Sequence, residues 1–197
     1  MSTGLIIALI VVVAVVVVAV AALAALRARR PHGGRSLRRR FGPEYDRAVA
    51  RHDGDTAAAE RELAERVERH GDLHPEPLEA ARRERFEARW TAAQELFVDA
   101  PRAAVSEADH LLAEAAEAKG FPDSHHYDEQ LSALSVHHAA HVEGYRHVHR
   151  LAQTSEGQGR DGRSTEEMRE AMVEARELFE DLVGAGARTT HRKGSRV

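Results

Sequence analysis

The amino-acid sequence predicts an all-α fold, with one N-terminal transmembrane helix followed by a small bundle of about five or six helices. Three observations predict it. An uncharged apolar run occupies residues 5–26, apolar residues recur at helical spacing through 43–183, and no segment alternates in the manner of a β-strand. The chain has 197 residues and no cysteine, which excludes a disulfide framework and thiol chemistry.

The apolar run 5–26 holds 22 residues without a charge or a proline, and it follows a short N-terminus of residues 1–4. As a helix it would be about 33 Å long, enough to span the roughly 30 Å hydrocarbon core of a bilayer. A cleavable signal peptide is the alternative. Because no basic side chain precedes the run, we favour an uncleaved signal anchor.

Residues 27–42 form an Arg-rich segment, which we interpret as a juxtamembrane linker. Seven arginines and no acidic residue precede Phe41, so the positive-inside rule predicts a single-pass protein of the plasma membrane with a cytoplasmic C-terminal domain. Basic and aromatic side chains favour the membrane interface. We therefore expect contact with the lipid bilayer through Arg27, Arg29, Arg30, Arg38, Arg39, Arg40, Phe41 and Tyr45. The alternative for the two aromatic residues is that they pack as a hydrophobic lead-in to the first helix.

The helical domain is predicted to span residues 43–183, and it is strongly acidic. Residues 41–183 carry 17 basic and 32 acidic side chains. Such a surface repels the phosphates of DNA and RNA, so the sequence predicts no nucleic-acid partner.

Helix signals follow one another through the first half of this domain. Pro43 can start a helix that reaches about His52, and Asp55 can cap the next one, to about His70. A longer helix over about 77–98 has a core stripe at helical spacing: Phe86, Trp90, Ala93 and Phe97.

The second half begins with a helix that Pro101 opens and Gly120 closes. A short helix over about 125–133 and a helix capped by Ser135, running to about Ala152, are expected next. The Gly-rich stretch 154–163 predicts a mobile loop. In the last helix Ser164 and Glu167 match a capping box and Gly184 a C-cap, which leaves residues 184–197 as a basic, disordered tail.

The segment Leu37-Arg-Arg-Arg-Phe-Gly-Pro-Glu-Tyr-Asp-Arg47 resembles an uncharacterised actinobacterial family of short membrane-anchored helical proteins. Members carry an L-R-R-R-F-G-P-E-Y motif directly after the membrane segment and are often labelled secreted or hypothetical. The stretches 61–70 and 145–179 also fit. The resemblance implies a shared helical fold and anchor, and it implies no catalytic residue.

Histidines are concentrated in one part of the chain, with seven of the thirteen between residues 125 and 149. His137, His138 and His141 have i, i+3 and i, i+4 spacings that can chelate a divalent ion, but the glutamate of an HExxH motif is missing. We interpret these histidines as solvated or capping side chains and predict no metal and no cofactor. A metal site at these three residues is the alternative, and pH sensing through mutual repulsion is a further hypothesis.

No phosphate-binding loop and no nucleophile motif is present, so the sequence does not predict an enzyme. We expect a membrane-anchored scaffold or regulator that binds an unknown membrane or cytoplasmic protein through its acidic helical surface. One alternative is a His-dependent metal-binding or enzymatic domain tethered to the membrane. Another is an exported helical domain, if the N-terminal segment is cleaved.

Overall fold

The computed structural model of the protein describes residues 34–153 and 162–191, and these residues form helices and connecting turns without a strand. The helices are α1 (Gly34–Phe41), α2 (Pro43–Arg51), α3 (Thr56–His70), α4 (Ala80–Leu96), α5 (Pro101–Ala118), α6 (Tyr127–His137), α7 (Val142–Ala152) and α8 (Gly162–His191). The all-α prediction is therefore confirmed. The predicted transmembrane segment 5–26 and the arginines at 27, 29 and 30 lie outside the described residues. Within the described ranges, no helix combines the length and the apolar character needed to cross a bilayer.

The main hydrophobic core is built around α5, which packs against α4, α7 and α8. Three residues of the stripe predicted for α4, Phe86, Trp90 and Ala93, are buried in it, and Phe97 is partly buried. Val105, Leu111 and Leu112 of α5 are buried in the same core. Trp90 of α4 stacks on Phe179 of α8, with ring centroids 4.5 Å apart. A stacked pair of this kind contributes about 0.5–1.5 kcal/mol beyond the burial of its area.

Helices α7 and α8 approach each other closely at Gly144. A Cβ atom at this position would lie 2.4 Å from the backbone carbonyl carbon of Glu174, far inside van der Waals contact. The absence of a side chain at Gly144 therefore sets how near the two helices can come.

A second, smaller core joins the beginning of the domain to α6. It consists of side chains from α1, α2 and α3 packed around Val136 of α6. Asp55 caps α3 as predicted, because its Oδ1 accepts a hydrogen bond of 2.9 Å from the backbone N–H of Ala58. The small core attaches the N-terminal helices to the rest of the bundle.

Several predicted boundaries were wrong. The Arg-rich linker 27–42 contains a helix, α1, because Leu37 and Phe41 lie four residues apart and both pack on the small core. Ser135 caps no helix. It lies within α6, fully buried, where its hydroxyl donates to the carbonyl of Ser132 at 2.7 Å.

The last helix differs from the prediction at both ends. It begins at Gly162, so Ser164 lies inside α8 and is not its cap, and it continues past Gly184 to His191. Residues 154–161 of the predicted loop lie outside the described residues.

Gly184 keeps a helical backbone and is not among the glycines with positive φ in the described ranges. A second glycine, Gly186, follows in the same helix, and the strong helix formers Ala185 and Ala187 alternate with these two glycines, each of which costs about 1 kcal/mol relative to alanine. The part of the predicted tail from 192 onwards lies outside the described residues.

Candidate functional site

The most distinctive site is the junction motif, which we define as residues 37–47, where α1 and α2 meet. Gly42 has a φ of +49°, a conformation that residues with a side chain rarely adopt, and it separates the two helices. Its N–H donates to the carbonyl of Arg38 at 2.9 Å, and Pro43 begins α2, where a missing N–H costs nothing. The Gly-Pro pair thus produces a sharp, hydrogen-bonded corner.

Aromatic side chains on either side of this corner point into the protein. Phe41 is 0% exposed and Tyr45 is 7% exposed, and they pack with Ala48, Ala59 and Leu63 in the small core. Both rings pack against the domain, which is the arrangement that the alternative to membrane contact describes. The reason is that the corner turns both rings toward α3.

The hydroxyl of Tyr45 reaches the edge of the small core, where it donates a 2.9 Å hydrogen bond to Oε1 of Glu60. This bond raises the pKa of Tyr45. Its ring also lies 5.6 Å from the guanidinium of Arg38. Tyr45 therefore contacts α3 through its hydroxyl and α1 through its ring.

The arginines of α1 lie on the solvent side. Arg38, Arg39 and Arg40 are exposed, and Arg38 forms a surface ion pair of 3.1 Å with Asp46. Because Leu37 and Phe41 of the same helix pack on the small core, the guanidinium groups are fixed on the outer face of the domain. The other three arginines of the predicted interface, Arg27, Arg29 and Arg30, lie outside the described residues.

Glu44, between Phe41 and Tyr45 in the junction motif, is a buried carboxylate. It is 1% exposed and lies in the first turn of α2. Nη1 and Nη2 of Arg146, on α7, donate to its two oxygens at 3.1 and 2.9 Å. Nη1 of Arg66, on α3, donates to Oε1 at 3.2 Å. Arg47 approaches from its own helix, with Nε at 3.6 Å from Oε2.

The two long-range arginines are held by further contacts. Arg66 also donates to Oγ of Ser135 on α6 at 2.9 Å and to Glu62 on its own helix. Arg146 donates to Glu143 at 2.6 Å. One carboxylate of the junction motif therefore connects α2, α3, α6 and α7. A buried charge is tolerated only when it is paired and hydrogen-bonded on this scale, so the network specifies one arrangement of these helices.

The three histidines of the alternative metal site do not converge on a common centre. Nε2 of His137 lies 2.8 Å from the carbonyl oxygen of His70, and its ring packs edge-on against Phe121. Nδ1 of His138 lies 3.5 Å from Asp181, while His141 lies with Nδ1 3.0 Å from Glu177 and Nε2 3.7 Å from the same Asp181. Within 34–153 and 162–191, no three or more acidic or histidine side chains converge so that they could hold a metal ion.

Carboxylates, rather than other histidines, face most of the clustered histidines. His126, His138, His141, His147 and His149 each have a ring nitrogen within 4.0 Å of an aspartate or glutamate oxygen. Protonation would therefore place these rings beside opposite charges. This arrangement counters the mutual repulsion on which the pH-sensing hypothesis depends.

The sequence matches no family model, no curated protein and no solved structure. The site is therefore interpreted from its own geometry. The cluster of Glu44, Arg66 and Arg146 was not predicted from the sequence. A glutamate in the first turn of a helix is favoured there by the helix dipole, so Glu44 gave no sign of being buried. The available signal was the position of Glu44 between two aromatic residues, Phe41 and Tyr45, that both face the core.

Proposed function

We propose that this chain is a single-pass membrane-anchored helical module that binds a protein partner at the membrane surface. The observation that carries the proposal is the burial of Phe41 and Glu44. Residues 37–45, which follow the proposed anchor 5–26 in the sequence, are part of the domain core. In such a module, α1 is packed on the domain, so the position of its arginines relative to the rest of the domain surface is fixed.

The exposed arginines of α1 support a membrane location. Arg38, Arg39 and Arg40 project from the domain on one short helix. Each guanidinium near an anionic leaflet contributes about 1 kcal/mol of attraction. The lipid bilayer is thus the first proposed partner, and the cytoplasmic leaflet, which carries the anionic lipids, fits the orientation that the arginine excess predicts.

The exposed face of α8 supports a protein partner. Between residues 165 and 184 it presents six exposed glutamates, at 166, 167, 170, 174, 177 and 180, against two exposed arginines, Arg169 and Arg176. Val173 lies among them with 55% of its surface exposed. A partner with a basic surface around an apolar residue complements this face in charge and character.

Crosslinking and affinity capture from intact membranes, with the full chain, test the proposal. The variant Glu167→Lys/Glu170→Lys reverses two exposed charges of α8, and Glu84→Lys/Glu87→Lys reverses two charges with the same spacing on α4. We expect one protein to be crosslinked by the wild type and by the α4 variant, and lost with the α8 variant. The same captured proteins in all three samples, or none, would overturn the proposal.

Orientation requires a separate test, because the anchor and the partner surface are independent claims. We expect a reporter that is active only in the cytoplasm to give signal when it is fused to the C-terminus of the full chain. Activity of a periplasmic reporter at the same position would contradict the proposed orientation. Release of the domain from washed membranes would contradict the uncleaved anchor.

A further inference from the structure

A groove of about 490 Å³ runs between α4 and α5. Arg82, Arg85 and Arg89 line it from α4, and Glu114 and Glu117 line it from α5. Cavities that bind small molecules measure about 300–1,000 Å³, so the groove can hold a small organic ligand. Which ligand it suits depends on which of these charged side chains are already paired.

The three arginines lie on one face of α4. Their positions differ by three and by four residues, which is the spacing of neighbouring side chains on a helix. Glu84 and Glu87 of the same helix fall on other faces and do not line the groove. Helix α4 therefore contributes only positive charges to it.

The two glutamates of the groove are held by other donors. Glu114 accepts hydrogen bonds from Nη1 and Nη2 of Arg89, at 2.6 and 3.4 Å. Arg89 also donates to Oε1 of Glu107, from Nε at 3.2 Å and from Nη2 at 2.9 Å. Glu117 accepts from the backbone N–H and the hydroxyl of Ser124, at 3.2 and 2.9 Å. Arg89 is thus compensated by its own carboxylates, and Glu117 is held toward the turn that precedes α6.

Arg82 and Arg85 have no acidic partner in the part of the chain that the structure describes. Arg82 forms no hydrogen bond or ion pair there. Arg85 forms a single hydrogen bond there, from Nε to the carbonyl of Ala81 at 3.2 Å. Acidic side chains outnumber basic ones by 32 to 17 in residues 41–183, so these two exposed cations lack a partner in a domain where carboxylates are abundant. Their Nη groups are therefore available to an anion.

We propose that this groove binds a phosphate monoester, whose phosphate group accepts hydrogen bonds from the Nη groups of Arg82 and Arg85. A planar guanidinium can donate two parallel hydrogen bonds to phosphate oxygens. The two positive charges match the two negative charges of a phosphate monoester, whereas a carboxylate would leave one of them uncompensated. Phe86, which lines the same groove and is 6% exposed, provides an apolar contact for the organic part of the ligand.

Glu117 opposes the binding of an anion, because its hydrogen bonds from Ser124 come from neutral groups and leave its charge in place. Glu117→Gln removes this charge and keeps a side-chain oxygen that can accept from Ser124. We therefore expect this variant to bind a phosphate ester about threefold more tightly than the wild type does.

Calorimetric titration of the full chain in non-ionic detergent micelles tests the groove, with phenyl phosphate as the probe and empty micelles as the reference. At pH 8.0 the probe is a dianion, since the second pKa of a phosphate monoester is about 6. We expect saturable binding, with a loss of about tenfold in affinity for Arg82→Gln and for Arg85→Gln, because each removes charge-assisted hydrogen bonds. Arg61→Gln is the matched control. Arg61, on α3, is exposed and forms no hydrogen bond or ion pair in the described part of the chain, but it lines no part of the groove.

Benzoate, which carries one negative charge on the same ring, is titrated in parallel to test the ligand class. Benzoate binding as tight as that of phenyl phosphate would overturn the proposal, as would equal losses in the Arg61 and groove variants or no saturable binding of phenyl phosphate. If a groove variant does not fold, the side-chain Nε NMR resonances of the wild type provide the readout. A shift of Arg82 and Arg85 but not of Arg61 on addition of phenyl phosphate supports the site, and shifts of all three or of none overturn it.

Reconstitution in vesicles distinguishes a soluble ester from the headgroup of phosphatidic acid, a lipid that carries a phosphate monoester. The full chain is placed in phosphatidylcholine vesicles that contain either phosphatidic acid or phosphatidylglycerol, whose phosphate is a diester. Weaker binding of phenyl phosphate in the phosphatidic acid vesicles would mean that the headgroup occupies the groove, and equal binding in both would identify a soluble ester. Both results retain phosphate recognition by Arg82 and Arg85 and differ only in the source of the ester.

Discussion

Glu44 and Arg146 are 102 positions apart in the chain, yet Nη2 of Arg146 lies 2.9 Å from Oε1 of the buried Glu44. This contact joins the junction motif to α7, which itself packs on α5 and α8. The N-terminal helices are therefore fastened to the main core by charge as well as by the small hydrophobic core. The junction motif is part of the folded domain for this reason.

Replacement of Glu44 tests the network. Glu44→Gln removes the charge that compensates Arg66 and Arg146, and loss of one partner from a buried pair typically costs about 3–5 kcal/mol. Both arginines keep a second carboxylate, so we expect a loss of about 3 kcal/mol in the free energy of unfolding, measured by urea denaturation. Asp46→Asn, which breaks only the exposed pair with Arg38, is the control and costs less than about 1 kcal/mol. Equal losses in the free energy of unfolding for the two substitutions would show that the buried network stabilises the protein no more than an exposed ion pair does.

Gly144→Ala tests the close contact of α7 with α8. The added methyl group would meet the backbone of Glu174 at 2.4 Å, so the helices must move apart. Overpacking of this kind costs about 1–3 kcal/mol. Gly184→Ala is the matched substitution in a helical position with nothing within 4 Å, and it should stabilise the protein by about 0.5–1 kcal/mol. Thermal unfolding of both variants measures the contrast, and a harmless Gly144→Ala would mean that the two helices lie further apart.

Histidine burial predicts a decline of stability in mild acid. Burial lowers the pKa of His138 and of His70 below their usual 6.5, so the fold favours their neutral forms. The stability they contribute is fully present above about pH 6.5 and is lost progressively as the pH falls below it. Around His138, Asp181 on α8 favours the charged form, whereas Lys119 and His137 oppose it.

Urea midpoints at pH 7.5, 6.5 and 5.5 measure this effect. We expect His138→Gln to lose less stability between pH 7.5 and 5.5 than the wild type does, because one buried titrating group has been removed. His126→Gln, at an exposed position beside Asp123, serves as the control and should retain the wild-type profile. Identical profiles for all three proteins would refute the contribution of His138.

Local signals in the sequence predicted the fold well and the site poorly. The apolar stripe with Trp90 depends only on residues within a few turns of one helix. The N-cap at Asp55 depends only on the first turn of the helix that it caps. Both were therefore predictable. The partners of Glu44 come from α3 and α7, and the approach of Glu174 to Gly144 depends on how two helices cross. Contacts of this range follow from tertiary packing, which a single sequence does not display.

The same limit explains the histidines and the junction. Spacing along one helix suggested that His137 and His141 share a ligand, but the intervening turn between α6 and α7 sends them to His70 and Glu177. For residues 27–42, the high content of arginine suggested a linker. The decisive feature was the pair Leu37 and Phe41, whose burial depends on a surface that α3 provides.

Hydrogen–deuterium exchange measures whether the junction motif is part of the folded core. The N–H of Gly42 and that of Tyr45 donate to backbone carbonyls at 2.9 and 3.1 Å beside a fully buried Phe41. In the full chain, we predict that these amides are protected to a degree similar to those of α5, and that Glu44→Gln reduces their protection more than Asp46→Asn does. Rapid exchange at Gly42 and Tyr45 in the wild type, with α5 still protected, would show that the junction is a flexible linker and not part of the folded core.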